Sequence, residues 1–312
     1  MTADMRLQGK VFCGLALVWV MASGIGIRLA PFHELWAAGA LIALLGMPHG
    51  AFDVVFARRL FGVVGAKGWA LFSLLYTGLA AAVVGVWWVA PTLFLCAFLA
   101  CSALHFGGDP AAGTSVLARG LYGGAVIVLP ALWHGPELQQ LLALVAGPAS
   151  AALVAPVLGQ MAAPWLAGLA LAAALLARTS RLAAAELAAL AALSVTAPPL
   201  VAFTVYFCAM HSPRHVLRTL AGFSRLEIRN AWGMAKWPTL AVLVVLVVSM
   251  VWMGVLAAAA GGTALEVIDG RPGGPPMPAW AMQIIFVGLA ALTLPHMVLL
   301  ERARQAGLTT PP

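Results

Sequence analysis

The sequence predicts an all-α fold: a polytopic transmembrane helix bundle of about 8 to 10 spans, forming a single integral membrane domain over residues 1–312. Three observations predict it. Of the 312 residues, 63% are hydrophobic and only 9% charged, against roughly 25% charged in ordinary globular chains. Mean hydropathy is +0.99. Finally, Val11 to Ile27, Leu79 to Leu104 and Pro238 to Leu265 contain no Asp, Glu, Lys or Arg. Each has the length, about 17 residues or more, that a helix needs to cross hydrocarbon.

Taken in order, apolar length and the Pro, Gly and polar breaks place ten candidate spans. The first, about 11–27, has no A-x-A-like cleavage site and reads as a retained helix, not a signal peptide. Spans near 35–57, 69–89, 91–107 and 116–133 follow. The next two, 138–158 and 161–177, fall in an Ala/Leu-rich stretch interrupted by Pro148, Pro156 and Pro164, where one tilted span or a re-entrant pair is an alternative. The last three are 183–208, 238–260 and 279–300.

The net charge of +7 comes from short cationic clusters between apolar runs, a pattern of membrane topology and not of a nucleic-acid face. With both termini inside, thirteen of the 17 Lys and Arg fall on the inner side, the exceptions being Arg28, Arg178, Arg181 and Arg271. A multi-pass protein of the cell inner (plasma) membrane with cytoplasmic termini is expected. The basic stretch from Arg214 to Lys236 reads as an anchor to anionic head groups, with Arg214 and Arg218 near enough to histidines to invite a role. Cys13, Cys96, Cys101 and Cys208 form no CxxC pair, so neither a disulfide framework nor a thiolate zinc site is indicated. The tryptophans near span ends form an interfacial belt.

Within this topology His49, His105, His211 with His215, and His296 lie on the second, fourth, eighth and tenth spans, all running outside to inside, and each in the inner half. Segments near 35–57, 91–107, 183–222 and 279–300 are therefore expected to build one metal site. Ionisable groups within a membrane are costly and face a partner or a cavity. Asp53 follows His49 and Asp109 follows His105 by four residues, so on a helix each carboxylate would share its histidine's face and fix its tautomer. Glu301 follows His296 by five. His296, Asp53, Asp109 and Glu301 are thus candidates for an extra ligand or for groups that orient the ligands. His211 and His215 have i, i+4 spacing, but Ser212 and Pro213 read as the cap and first position of a new helix. His33 and His134 fall in outer turns and are expected to be solvated.

Imidazole suits iron, copper, zinc and nickel alike. A site of neutral histidines leaves the full charge on the metal and positions free for oxygen, which suits redox chemistry on an apolar substrate. No Ser or Cys nucleophile with a paired base and no H-E-x-x-H is present, which argues against hydrolysis, and no catalytic side chain is indicated beyond the metal centre. Phe52, Phe56, Phe106, Phe203, Tyr206 and Phe207 flank the histidines and are candidates for a substrate tunnel, although aromatic residues in spans mostly serve packing. Other readings are a bis-histidine haem protein and a proton-coupled transporter using His and Asp as a relay. A diiron desaturase would need about eight histidines, more than the seven present.

Four motifs, GMPHGAFD, SALHFGGD, YFCAMHSPRHVLR and LTLPHMVLLE, occur in this order across residues 46–301. Together they resemble the Brp/Blh membrane β-carotene 15,15′-dioxygenases, bacterial and archaeal proteins that supply retinal to rhodopsins. The resemblance implies an enzyme with Fe(2+), held by His49, His105, His211 and His215, that splits the central double bond of β-carotene with O2. The implied product is two molecules of all-trans-retinal, with a rhodopsin apoprotein as acceptor.

Overall fold

The computed structural model describes residues 2–111, 113–221, 223–259 and 279–308; Arg271, expected on the outer side, lies outside the described residues. Every regular element among them is helical. Helix α1 (Ala3–Gly24) begins where the Thr2 side chain accepts from the Met5 N–H. A continuous helical path then runs from Pro31 to Phe61, but it changes pitch three times. α2 (Pro31–Leu41) passes into a π segment (Ile42–Gly46) and a 3₁₀ segment (Met47–Phe52) before α3 (Asp53–Phe61) resumes. Pro48 supplies no N–H to the ladder, consistent with a break in regular α geometry here.

α4 (Gly65–Val89), α5 (Pro91–Phe106) and α6 (Val116–Val128) follow, α6 tightening into a 3₁₀ turn (Leu129–Leu132). The path then bends by 115° into α7 (Gly135–Ala146). Here the structure corrects the expected division. The stretch 138–158 is not one span: it breaks at Gly147, whose φ of 86° favours glycine. Beyond it α8 (Pro148–Leu176) is a single helix of 29 residues with Pro156 and Pro164 inside it. Proline need not break an apolar helix when packed neighbours and local adjustments satisfy the freed carbonyls.

The expected span 183–208 is likewise two helices, α9 (Arg181–Thr196) and α10 (Pro199–Tyr206), divided at the Pro198–Pro199 pair. A second π segment (Phe207–His211) leads into α11 (Ser212–Leu220). α12 (Arg225–Ala259) starts well before 238, so much of the basic stretch is helical. α13 (Ala279–Gln305) closes the described chain. Among the described residues six helical paths are long and apolar enough to cross a membrane, or seven if the bent α6–α7 pair is one span, fewer than the 8 to 10 expected. The difference lies in pieces such as α5, at 16 residues, which are too short for a helix to cross a hydrocarbon core of about 30 Å unaided. The several long apolar helices support a multi-pass membrane protein.

α1 packs on α9, α9 on α8, and α8 against α6 and α7, while α13 packs against α4 and α7. The central residues of α4 and α12 are buried nowhere in the protein, as lipid-facing helices should be. α5 and α6 approach most closely at Gly123, where an added Cβ would overlap the Ala103 carbonyl and crowd the Gly107 N–H. These neighbours are backbone and cannot swing aside. Gly123→Ala is expected to destabilise the protein by about 1–3 kcal/mol, the usual cost of overpacking, read as a lowered unfolding midpoint in detergent.

All four cysteines are free, as expected. His134 is a correction: it is 5% exposed, not solvated, with its ring nitrogens 3.2 Å from Glu137 Oε2 and 3.1 Å from the Thr196 carbonyl. It ties the start of α7 to the end of α9. His33 is exposed.

Candidate metal centre

The two π segments set up the site. His49 lies just beyond the first, and His211 ends the second, which is where π geometry often marks function. Ser212 fixes the two against each other, its hydroxyl donating to the Leu45 carbonyl at 2.7 Å. The second π segment ends at His211 and α11 starts at Ser212, so Ser212 is the first residue of the helix and Pro213 the second, one place on from the cap and first position expected, and the Ser212 hydroxyl is spent on Leu45 and not on a cap. His105 comes from the last turn of α5 and His296 from α13.

These elements bring five imidazoles together. His49, His105 and His211 each offer one ring nitrogen, and those atoms lie within 4.8 Å of one another. The His215 ring centre is 5.4 Å from that of His49, and the His296 centre is 5.3, 5.2 and 5.0 Å from those of His49, His105 and His215. All but His105 are at least nine-tenths buried.

In three of the five rings Nδ1 is held by protein. His49 Nδ1 pairs with the Gly46 carbonyl three residues back. His211 Nδ1 lies 3.0 Å from Asp109 Oδ2, and His296 Nδ1 lies 2.7 Å from Asp53 Oδ1. The carboxylates therefore do not serve the histidines four residues before them. The 3₁₀ turn swings His49 off the face that carries Asp53, and α5 ends at Phe106, so Asp109 turns away from His105. Each carboxylate reaches instead to a histidine on a distant element. Glu301 is at the surface, bonded to Arg304 and Gln305, and takes no part.

Asp109 is the most elaborately held group. It accepts from the Tyr206 hydroxyl at 2.5 Å, while Arg218 donates to the carbonyls of Gly108, Asp109 and Pro110. Burial pushes its carboxyl up, but His211, Tyr206 and the Arg218 guanidinium outweigh this and hold it below the usual range. Arg214, 1% exposed, forms a two-pronged ion pair with Glu186 at 2.8 and 2.9 Å. Neither arginine is a lipid anchor.

The Nε2 atoms of His211, His215 and His296 are buried with no hydrogen-bond partner. Buried polar atoms are normally satisfied, and a metal-binding imidazole gives one nitrogen to the metal and the other to a carboxylate or carbonyl. The donor set thus fits a divalent first-row metal ion.

A cavity of about 790 Å³ lies between α3, α4, α12 and α13 and reaches His49, Asp53 and His296. Trp69, Phe72 and Trp237 form much of its wall. None of the six aromatic residues proposed for a tunnel lines it; Phe106 and Phe203 border a second, smaller cavity of about 90 Å³. Phe52 packs against Trp232, Phe56 against Leu299 and Ala303, and Phe207 stacks on His211.

The sequence model of a family described as beta-carotene 15,15′-dioxygenase matches residues 40–302, a range that holds all five histidines. The chain belongs to this family. A β-carotene 15,15′-dioxygenase of an uncultured marine bacterium is 29% identical over 275 residues, covering 85% of this chain and 92% of that protein. A probable β-carotene 15,15′-dioxygenase Blh of Halobacterium salinarum is 31% identical over 244 residues, covering 66% and 70%. No solved structure matches the chain. Membership of the Brp/Blh-type β-carotene 15,15′-dioxygenase family, with the three-histidine cluster, supports an oxygenase-type enzyme of the membrane acting on a carotenoid and O2.

Sequence reasoning missed Tyr76, whose hydroxyl donates to Asp53 at 2.8 Å, and Glu186, the partner of Arg214. A signal existed for the first. The chain has only three tyrosines, and a hydroxyl in an apolar helix needs a partner.

Proposed function

We propose that this protein cleaves β-carotene at its 15,15′ double bond with O2, forming two molecules of all-trans-retinal. A ferrous ion is held by His49, His105, His211 and His215, with His296 as a further inward imidazole. When bound, the iron supplies the redox chemistry that joins O2 to the double bond. The protein's share is to hold the imidazoles in one tautomer, to keep water from the centre, and to lay the polyene beside it. Retinal then passes to an acceptor such as a rhodopsin apoprotein, and the chain sits in the inner membrane with both termini cytoplasmic.

The observation that carries this reading is the cavity that ends on His49 and His296. Its volume falls within the roughly 300–1,000 Å³ of ligand sites. Two of its walls, α4 and α12, are lipid-facing, so a hydrocarbon dissolved in the bilayer reaches the histidines without crossing water. A haem is disfavoured by the site itself: the His105 ring centre is 4.6 Å from that of His211 and 5.2 Å from that of His296, and His49 is 5.1 Å from His211, so the rings crowd one another and leave no room for a macrocycle between them.

Expression in a β-carotene-producing bacterium is expected to bleach the yellow colour and yield retinal by chromatography. Unchanged carotene in cells that hold folded, iron-loaded protein would overturn the substrate assignment.

A further inference from the structure

Two of the three tyrosines end on the two carboxylates beside the histidine cluster. On one side Tyr206 Oη donates to Asp109 Oδ2, and that carboxylate accepts from His211 Nδ1. On the other Tyr76 Oη donates to Asp53 Oδ2 at 2.8 Å, while Asp53 Oδ1 accepts from His296 Nδ1 at 2.7 Å. The same Tyr–Asp–His chain is built twice from unrelated elements: α10, the turn after α5 and a π segment in the first; α4, α3 and α13 in the second. Both chains end on an imidazole whose Nε2 is buried without a partner.

They differ in one respect. Tyr206 is fully buried, whereas Tyr76, Asp53 and His296 together line the large cavity. A buried carboxylate needs both oxygens satisfied. With Tyr76 on Oδ2, Asp53 cannot rotate without losing a hydrogen bond, so Oδ1 stays aimed at His296. The phenol has one proton to give, and its other acceptor, the Leu292 carbonyl at 3.4 Å, is the more distant.

We propose that Tyr76 is a positioning residue of the metal centre. From the cavity wall it fixes Asp53, and through Asp53 the tautomer and direction of His296, so that Nε2 of His296 joins the cluster. This rests on the metal reading given above. It also places the substrate against the ring whose hydroxyl holds His296, so the cavity and the centre share one hydrogen-bonded wall.

Cobalt(II) titration of the purified, metal-free protein tests this without turnover, because the visible ligand-field bands report the geometry of the donors. Tyr76→Phe keeps the ring and removes only the hydroxyl. It is expected to weaken Co²⁺ binding by about tenfold or more, within the roughly 10–100-fold typical of losing a group that orients a ligand, and to shift the bands, and Tyr206→Phe is expected to do the same. Thr77→Val, in the same cavity wall but bonded to the Ser73 carbonyl, should leave both unchanged. A wild-type spectrum and affinity in Tyr76→Phe, or an equal shift in Thr77→Val, would overturn the positioning role and leave the metal reading standing. Failure of the wild type to take up Co²⁺ would remove the metal reading, and this inference with it.

Discussion

His105→Ala and His211→Ala are each expected to lose most of the bound iron and to lower retinal formation by more than about 10²-fold, beyond the roughly 10–100-fold cost of losing a group outside the ligand set. The reason is the composition of the site. Among the described residues His49, His105 and His211 bring their nitrogens within 4.8 Å of one another, and the nearby carboxylates, Asp53 and Asp109, are already committed to His296 and His211. Neither carboxylate is free to replace a lost ring. His211 should be the more sensitive, because its removal also strips Asp109 of an imidazole partner inside the protein. Elemental analysis of purified variants, alongside retinal yield, checks both numbers. Full iron in both variants would show that these rings are packing, however close they lie.

The helical class and the four histidine-bearing segments were legible because both rest on local signals: unbroken apolar length, and imidazoles that have no cheap reason to sit in it. The pairing of the site was not. H-x-x-x-D invites a same-face reading only if the backbone stays α-helical, and both instances fail that condition. At His49 the chain has already passed from π to 3₁₀, and at His105 the helix is ending. Which distant histidine a displaced carboxylate then meets is a matter of tertiary packing, as Asp53 with His296 shows. Proline misled in both directions. Pro156 and Pro164 sit inside one helix, whereas Pro198 and Pro199 divide two, and the difference is set by neighbours that free carbonyls can find and not by the residues alone. The cavity walls were invisible for the same reason, since α4 and α12 meet His49 and His296 only once the bundle is assembled.

Glu186→Ala is expected to destabilise the protein by about 3–5 kcal/mol, the cost of leaving a buried charge without its partner. Arg214 is 1% exposed and Glu186 2%, and both guanidinium prongs are engaged. The pair fills a space that exists because residue 9 is glycine: a Cβ there would strike the Glu186 carboxylate. Arg214 also donates to Gln8 at 2.8 Å, so α1, α9 and α11 meet at this one charge. Without Glu186 the guanidinium must either stay unpaired among carbonyls or pull α11 toward solvent. Because α11 carries His215, the second outcome would loosen the metal centre too. The double variant Glu186→Ala with Arg214→Met removes both charges and should recover much of the lost stability. Unfolding midpoints in detergent for the two single variants and the double variant measure this coupling, and iron content measured on the same samples separates a structural corner from a part of the site. If the double variant regains stability and iron together, the ion pair serves the centre only by holding α11 in place. If stability returns without iron, Arg214 itself contributes to the Asp109 turn, to whose carbonyl it donates at 3.4 Å.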